Sequence, residues 1–245
     1  MSSEQKIETT HLALVTGATK GMGREIALHL ADSASGVAVH YHNNKEEAQL
    51  VVEEIQHKGK LGAAFRADLT NEKEVDALIK EVEAQFGQID ILVNNVGPFL
   101  VKRWQELNAS DWDFIFRSVL ESAFFCMKAV LPGMRERKWG RIINIGYHRA
   151  EQLVAFPTIT PYAIAKTGLL ILTRTVAASE VSSGITINMV SPGLIEGGVL
   201  PSSTKLPTAN LGKFGDVAEA VLFLASEKAS AITGANLIVA GTWKL

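Results

Sequence analysis

Cysteine is nearly missing from this chain: Cys126 is the single one in 245 residues. That excludes an intrachain disulfide framework, and the setting Phe124-Phe125-Cys126-Met127 reads as packing rather than a reactive thiol. An excess of one charge is lacking too. Lys plus Arg number 24 against 26 Asp plus Glu, a formal net charge of -2. Near-neutrality gives no electrostatic case for a nucleic acid or an anionic membrane as partner. No apolar run is long enough to span a bilayer, and Met1-Ser-Ser-Glu-Gln-Lys6 has no apolar signal core, so a cytoplasmic location is expected. Internal repeats, heptads and low-complexity tracts are absent, and no metal is called for. What is present suits one sizeable core: 47% of residues are hydrophobic and 20% charged, which predicts a single domain over 1–245.

The most informative stretch is Leu12-Ala-Leu-Val-Thr-Gly-Ala-Thr-Lys-Gly-Met-Gly-Arg24. Its unalternating apolar start reads as a strand buried on both faces. After Gly17, Gly21 and Gly23, Ile26, Ala27, Leu30 and Ala31 recur at helical spacing. Strand, glycine turn and helix together aim helix N-terminal amides at an anion, and a Cβ in the turn would obstruct a pyrophosphate. A tight turn without a ligand is the alternative. Further strands are expected at 36–41, 61–67, 89–95, 141–145, 185–190 and 235–239. Helical periodicity marks 46–57, 75–86, 111–137, 162–181 and 216–225. This alternation predicts an α/β fold, a doubly wound parallel sheet with helices on both faces. The irregular stretch 193–213 follows a strand's carboxyl end, where such sheets bind ligands, and reads as a substrate-side loop.

Four further signals carry chemistry. Asp68-Leu69 ends the third strand, where a carboxylate accepts from an adenine amino group or caps the next helix. Asn94-Asn95-Val96-Gly97 ends the fourth, where side-chain amides tie strand ends together and line a cofactor pocket, or form a plain Asx turn. Tyr162-Ala-Ile-Ala-Lys166 places a phenol and an ammonium at i and i+4 on one helix face. An adjacent cation favours the phenolate and so draws a tyrosine towards acid–base work, although a chance pair on a solvated helix has the same spacing. Pro192-Gly193 turns the chain out of the sixth strand.

Taken in order, these motifs resemble the classical branch of the short-chain dehydrogenase/reductase family. Its Thr-Gly-x-x-x-Gly-x-Gly is Thr16 to Gly23, its Asn-Asn-x-Gly is Asn94 to Gly97, its Tyr-x-x-x-Lys is Tyr162 to Lys166. Arg141-Ile-Ile-Asn-Ile, Phe223-Leu-Ala-Ser and Ile232-Thr-Gly give a nearest look to bacterial 3-oxoacyl-(acyl-carrier-protein) reductases. The resemblance implies a Rossmann-like sheet of seven parallel strands, a nicotinamide cofactor across the strand ends and a homotetramer. It implies a cofactor site drawn from Gly17, Thr19, Lys20, Gly21, Met22, Gly23, His40, Tyr41, Asp68, Leu69, Asn95, Val96, Gly97, Tyr162, Lys166, Pro192, Gly193 and Ile195. Tyr162 would protonate a carbonyl oxygen, while Lys166 would hold the ribose hydroxyls and lower the pKa of Tyr162. NADP(H) is favoured over NAD(H): His40-Tyr-His-Asn-Asn-Lys45 carries no acid before Glu46 to accept from a ribose hydroxyl. Lys20 and Arg24 could meet a 2′-phosphate.

Three family residues are replaced. The serine that donates to the substrate carbonyl aligns with Tyr147, or with Arg149 under a shifted gap. The asparagine supporting an irregular turn in the long helix aligns with Val119. The threonine after Pro-Gly is Gly197, and the chain ends Ala240-Gly-Thr-Trp-Lys-Leu245 in place of a Gly-Gly ending. Losing one oxyanion donor costs on the order of 100- to 1000-fold in turnover, which a replacement donor such as Tyr147 recovers in part. Two functions therefore stand: an NADPH-dependent reductase of a small-molecule or acyl-thioester carbonyl, with Tyr147 as auxiliary catalytic donor, or a cofactor-binding sensor or partner subunit with little turnover. Phe114, Phe124, Phe125, Leu169, Leu170 and Ile171 exceed what one sheet face needs and predict helix faces buried in an oligomer.

Overall fold

The computed structural model describes residues 11–198 and 211–241. Seven strands, β1 (Leu12–Val15), β2 (Gly36–Tyr41), β3 (Leu61–Arg66), β4 (Ile89–Asn94), β5 (Gly140–Ile145), β6 (Ile185–Pro192) and β7 (Asn236–Val239), form one sheet of order β3-β2-β1-β4-β5-β6-β7. Every pairing is parallel. All residues of β1, β2, β5 and β6 are buried, as the unalternating apolar runs require of strands covered on both faces.

Helices α1 (Gly21–Ser33), α2 (Lys45–His57) and α7 (Phe214–Ala225) cover one face; α3 (Glu72–Phe86), α5 (Ser122–Arg137) and α6 (Thr160–Ser179) cover the other. The alternation within β1 divides the two layers. Ala13 and Val15 pack with Ile26, Leu30, Val52 and Val221, while Leu12 and Leu14 pack with Leu78, Met127 and Val130. Cys126 lies wholly inside the second layer, and burial pushes its thiol up to about 12, in keeping with a packing role. No helix among the described residues is long and apolar enough to cross a membrane.

The doubly wound seven-stranded sheet is as expected, with one element redrawn. The expected single helix over 111–137 is α4 (Ala109–Phe116), a π-helical turn (Arg117–Glu121) and α5. Asn108 caps α4 through the amide of Asp111, whose carboxylate returns the bond to the Asn108 amide. The π turn inserts a residue without interrupting the apolar pattern, so periodicity alone reads straight through it. Val119 sits in this turn, fully buried, and Ser122 Oγ donates to the Ser118 carbonyl at 2.5 Å. The irregular turn is therefore held here by packing and a serine rather than by an asparagine.

Strand register brings every carboxyl end to one edge. Val15 lies opposite Val39 and Val93, Asn94 opposite Asn144, and Ile145 opposite Val190. The two neighbours of β1 lie on opposite sides, β2 leading to β3 on one and β4, reached by a crossover from β3, on the other, and the crevice of an open α/β sheet opens at that switch point. Beside it, a parallel bridge between Ile195 and Gly212 closes the base of the irregular connection, with Glu196 N–H donating to the Gly212 carbonyl at 2.8 Å. The remainder of the expected 193–213 loop, 199–210, lies outside the described residues.

Candidate active site

The glycine turn follows directly from β1. Gly17 adopts φ +61°, a left-handed conformation that costs a side chain and suits glycine. Gly23 meets a different demand. A Cβ there would lie 2.3 Å from the Gly17 carbonyl oxygen and 2.5 Å from Asn95 Nδ2, so the helix can approach the turn only without a side chain. The result is an open cradle under the N-terminus of α1, the site a pyrophosphate requires.

Two side chains lock this cradle to its neighbours. Thr16 Oγ1 donates to the Val93 carbonyl and accepts from the amides of Asn95 and Val96, while Asn95 Nδ2 donates to the carbonyls of Thr16 and Gly17. One strand over, Asn94 Nδ2 donates to Asn144 Oδ1, and Asn144 Nδ2 donates to Thr173 Oγ1 on α6. The Asn94-Asn95 pair thus ties β1, β4, β5 and α6 into one rigid edge.

Lys166 is buried and extends past Gly97, where a Cβ would stand 2.9 Å from its Nζ. Its Nζ donates to the Ile145 carbonyl at 2.5 Å, and burial lowers its pKa to about 7. The nitrogen lies 5.7 Å from the centre of the Tyr162 ring. The expected depression of the Tyr162 pKa is overturned in this arrangement. Burial raises it, and the adjacent Tyr147 phenol pushes the same way. Tyr162 is therefore a neutral phenol with its proton in place.

Tyr147 packs edge-on against Tyr162, ring centroids 5.7 Å apart, and Phe99 closes on Tyr162 from another side at 4.9 Å. Of the two alignments for the absent serine, the chain path puts Tyr147 beside Tyr162, with Arg149 next outward. Burial raises the Tyr147 pKa, and the neighbouring Arg149 opposes this by its charge and a hydrogen bond to the phenol.

These groups line one cleft of about 940 Å³. Gly17, Thr19, Lys20, Gly21, Met22, Gly23 and Tyr41 border its first half; Asn95, Val96, Gly97, Tyr147, Tyr162, Lys166, Pro192, Gly193 and Ile195 its second. Three expected members stand elsewhere. His40 is buried beneath the glycine turn and makes no wall of the cleft. Asp68 is committed to its own turn, its Oδ1 accepting from the Thr70 amide at 2.9 Å and hydroxyl at 2.8 Å, while Asn71 caps α3. Leu69 is buried in the second core layer. Arg24 is also corrected as a phosphate ligand, because its guanidinium grips both Glu54 carboxylate oxygens at 2.8 and 2.6 Å. Lys20, by contrast, is exposed on the cleft and pairs with no acid among the described residues.

Sequence reasoning missed Phe99, Thr158, Ile159 and Phe214, which reach the cleft from loops and from the start of α7. They carry no motif, since only the tertiary path brings them in. His42, Asn43 and Asn44 do have a signal, their place just past β2, and they line the cleft beside Tyr41.

A doubly wound parallel sheet with a glycine cradle at its switch point defines a Rossmann-like dinucleotide-binding fold. A family model described as Enoyl-(Acyl carrier protein) reductase matches residues 17–242. The 3-oxoacyl-[acyl-carrier-protein] reductase FabG of Staphylococcus aureus is 38% identical over 244 residues, covering 96% of this chain and 98% of that protein. The (2S)-[(R)-hydroxy(phenyl)methyl]succinyl-CoA dehydrogenase subunit BbsD of Thauera aromatica is 35% identical, covering 94% and 95%. Among solved structures, a blue fluorescent protein from a metagenomic library in complex with NADPH superposes with a TM-score of 0.88 at 31% identity, covering 97% and 99%. A gluconate 5-dehydrogenase of Burkholderia cenocepacia J2315 in complex with NADP and tartrate gives 0.87 at 30%, covering 95% and 94%. The chain belongs to the short-chain dehydrogenase/reductase family. It is an NAD(P)-dependent oxidoreductase acting on CH-OH and C=O groups, most similar in sequence, among the relatives named here, to 3-oxoacyl-(acyl-carrier-protein) reductases.

Proposed function

We propose that this protein is an NADPH-dependent reductase of a carbonyl substrate in which Tyr162 is the proton donor. The observation that carries the reading is the convergence of Tyr162, Lys166 and Tyr147 at one end of a cleft whose other end is the glycine cradle. The cradle fits a dinucleotide: Gly21 lines the cleft and a Cβ there would meet only the Phe214 ring, at 3.7 Å, so the backbone is open to a ligand, and the α1 N-terminus faces it. Exposed Lys20, with His42, Asn43 and Asn44 and no acid on the same wall among the described residues, supports NADP(H) over NAD(H). The two solved relatives that carry NADPH and NADP point the same way.

When bound, the nicotinamide supplies hydride to the carbonyl carbon. The chain's own part is proton delivery and orientation. Tyr162, a neutral phenol at physiological pH whose pKa desolvation raises further, passes its hydroxyl proton to the carbonyl oxygen as charge develops there. Tyr147 supplies the second donor to that oxygen in place of the family serine. Lys166, anchored on the Ile145 carbonyl, would hold the ribose hydroxyls and has further protons to offer Tyr162.

Gly193, Leu194, Ile195, Gly197 and Gly198, the described start of the 193–213 stretch, line the cleft, which supports a substrate-side role for that stretch within a single domain. The substrate is a small carbonyl compound or an acyl thioester, as the names of the reductase relatives suggest. The test is consumption of NADPH and of NADH, followed by absorbance, across ketones, keto esters and acyl thioesters. Turnover with NADPH that disappears in Tyr162→Phe supports the reading. A wild-type protein that binds NADPH and turns over nothing in the panel supports the sensor or partner-subunit alternative.

A further inference from the structure

Among the described residues, the cleft lining contains no acidic side chain, although Asp plus Glu outnumber Lys plus Arg in the chain. The Lys and Arg of that described lining are Lys20, Lys166 and Arg149. On the reading above, the first two serve the cofactor. Arg149 has no such task, and it stands on the substrate side beside Tyr147.

Its placement is fixed at both ends. The backbone turn is held by Ala150 N–H donating to the Tyr147 carbonyl at 2.8 Å and by Gln152 N–H donating to the Arg149 carbonyl at 2.9 Å. Ala150 is buried, and its carbonyl accepts from Thr167 Oγ1 on α6 at 3.0 Å. At the other end, Nε donates to Gln152 Oε1 at 2.6 Å, and the guanidinium carbon lies 4.9 Å over the Phe156 ring. These contacts set the plane of the guanidinium while leaving its charge unmatched: no carboxylate among the described residues pairs with Arg149. The nearby Glu151 is bound instead to Arg174.

Resting on the carbonyl-reductase reading, we propose that Arg149 binds an anionic group of the substrate, which is a short keto acid with its carboxylate two or three bonds from the reacting carbonyl. The spacing follows from the shared ring. Arg149 hydrogen-bonds the Tyr147 phenol, and the Tyr147 ring centre is 5.7 Å from that of Tyr162, so a carbonyl on Tyr162 and an anion on Arg149 are taken to be about one aromatic ring apart. A planar guanidinium held by stacking and by hydrogen bonds to Gln152 and the Tyr147 phenol is suited to a carboxylate, and a cleft without acids does not repel one.

The experiment compares acetoacetate and levulinate with their methyl esters as substrates, and 3-hydroxybutyrate with its methyl ester as ligands. Binding is read from the fluorescence of NADPH on the intact protein, which needs no turnover. The acids should exceed their esters by roughly 10- to 100-fold in kcat/KM and in affinity, as expected of a charge-assisted pair. Arg149→Gln should bring that ratio to within about threefold, and Arg149→Lys should restore part of it. Tyr147→Phe should retain the ratio, which separates anion binding from mere support of the phenol. Equal binding of acid and ester to wild type, or an unchanged ratio in Arg149→Gln, overturns the proposal. Ester turnover without acid preference defeats only the anion assignment. Acid-selective binding without turnover of any compound defeats the reductase reading and leaves the anion site standing.

Discussion

His40 Nδ1 accepts a hydrogen bond from the Gly17 amide at 3.0 Å, from directly beneath the glycine turn. Because Nδ1 accepts, the ring must be the neutral tautomer with its proton on Nε2, and that proton is donated to the Ala67 carbonyl at 3.1 Å. The His40 carbonyl in turn accepts from Ala18 N–H at 3.0 Å. One residue therefore joins the ends of β1, β2 and β3 under the cradle, without touching what the cradle holds.

Burial lowers the His40 pKa from the ordinary 6.5 to about 4. The unfolded chain takes up this proton as pH falls below 6.5 and the folded chain does not until about 4. Folding stability should thus be unaffected by His40 above pH 6.5 and should decline between 6.5 and 4, by a total of about 3 kcal/mol. Urea midpoints at pH 7.5, 6 and 5 check this, with His40→Asn as the comparison that keeps a donor and an acceptor but does not titrate in the window. A slope in His40→Asn equal to wild type would assign the loss to other groups. His40→Leu leaves the Gly17 amide without its partner and should cost about 1–3 kcal/mol while weakening cofactor binding.

Cofactor choice is the second expectation. Lys20→Glu should weaken NADP(H) by roughly 10- to 100-fold and NAD(H) by much less, since the 2′-phosphate is the only charge that differs between them. Calorimetric titration of both cofactors into both proteins decides it. Wild-type binding of NAD(H) as tight as NADP(H) counts against the assignment, whatever the variant does.

Much of this was readable from the chain because its signals are local. An unalternating run such as Leu12-Ala-Leu-Val15, broken at once by a glycine turn, reads as a doubly covered strand, and Gly17 and Gly23 announce a backbone that approaches something closely. Reading failed where side chains choose partners across the fold. Nothing in Gly36–Tyr41 says that His40 turns inward to Gly17 rather than outward to a ligand. Arg24 lies beside the cradle in sequence, yet Glu54, 30 residues on, captures it. The π turn at Arg117–Glu121 was invisible because an inserted residue leaves the surrounding apolar spacing intact.

Assembly follows from which apolar groups the monomer leaves uncovered. Of those singled out, Leu169 and Leu170 are buried within the subunit and contribute nothing to a contact. Phe114, Phe124 and Ile171 are 55%, 42% and 63% exposed, and Trp112 and Ile164 join them at 40% and 45%. With α4, α5 and α6 all contributing, a homotetramer is expected, or a dimer at the least. Light scattering at micromolar concentration should report a multiple of 26.5 kDa, and Phe124→Glu combined with Ile171→Glu should lower it. A wild-type monomer would refute the assignment.

The last expectation concerns the two phenols. Tyr162 and Tyr147 pack edge to edge with interplanar angle 70°, and both have pKa values raised by burial, so both can donate at neutral pH. Their tasks differ. Tyr162→Phe removes the transferable proton and should abolish turnover, with NADPH binding nearly unchanged. Tyr147→Phe removes only a hydrogen bond to the developing oxyanion and should cost roughly 10- to 1000-fold in kcat. KM should move less than kcat, because the interaction strengthens as charge builds in the transition state. A silent Tyr147→Phe with a faster Tyr147→Ser would mean that the ring obstructs the family serine's place. The carbonyl would then depend on Tyr162 alone, and weight would shift to the low-turnover reading.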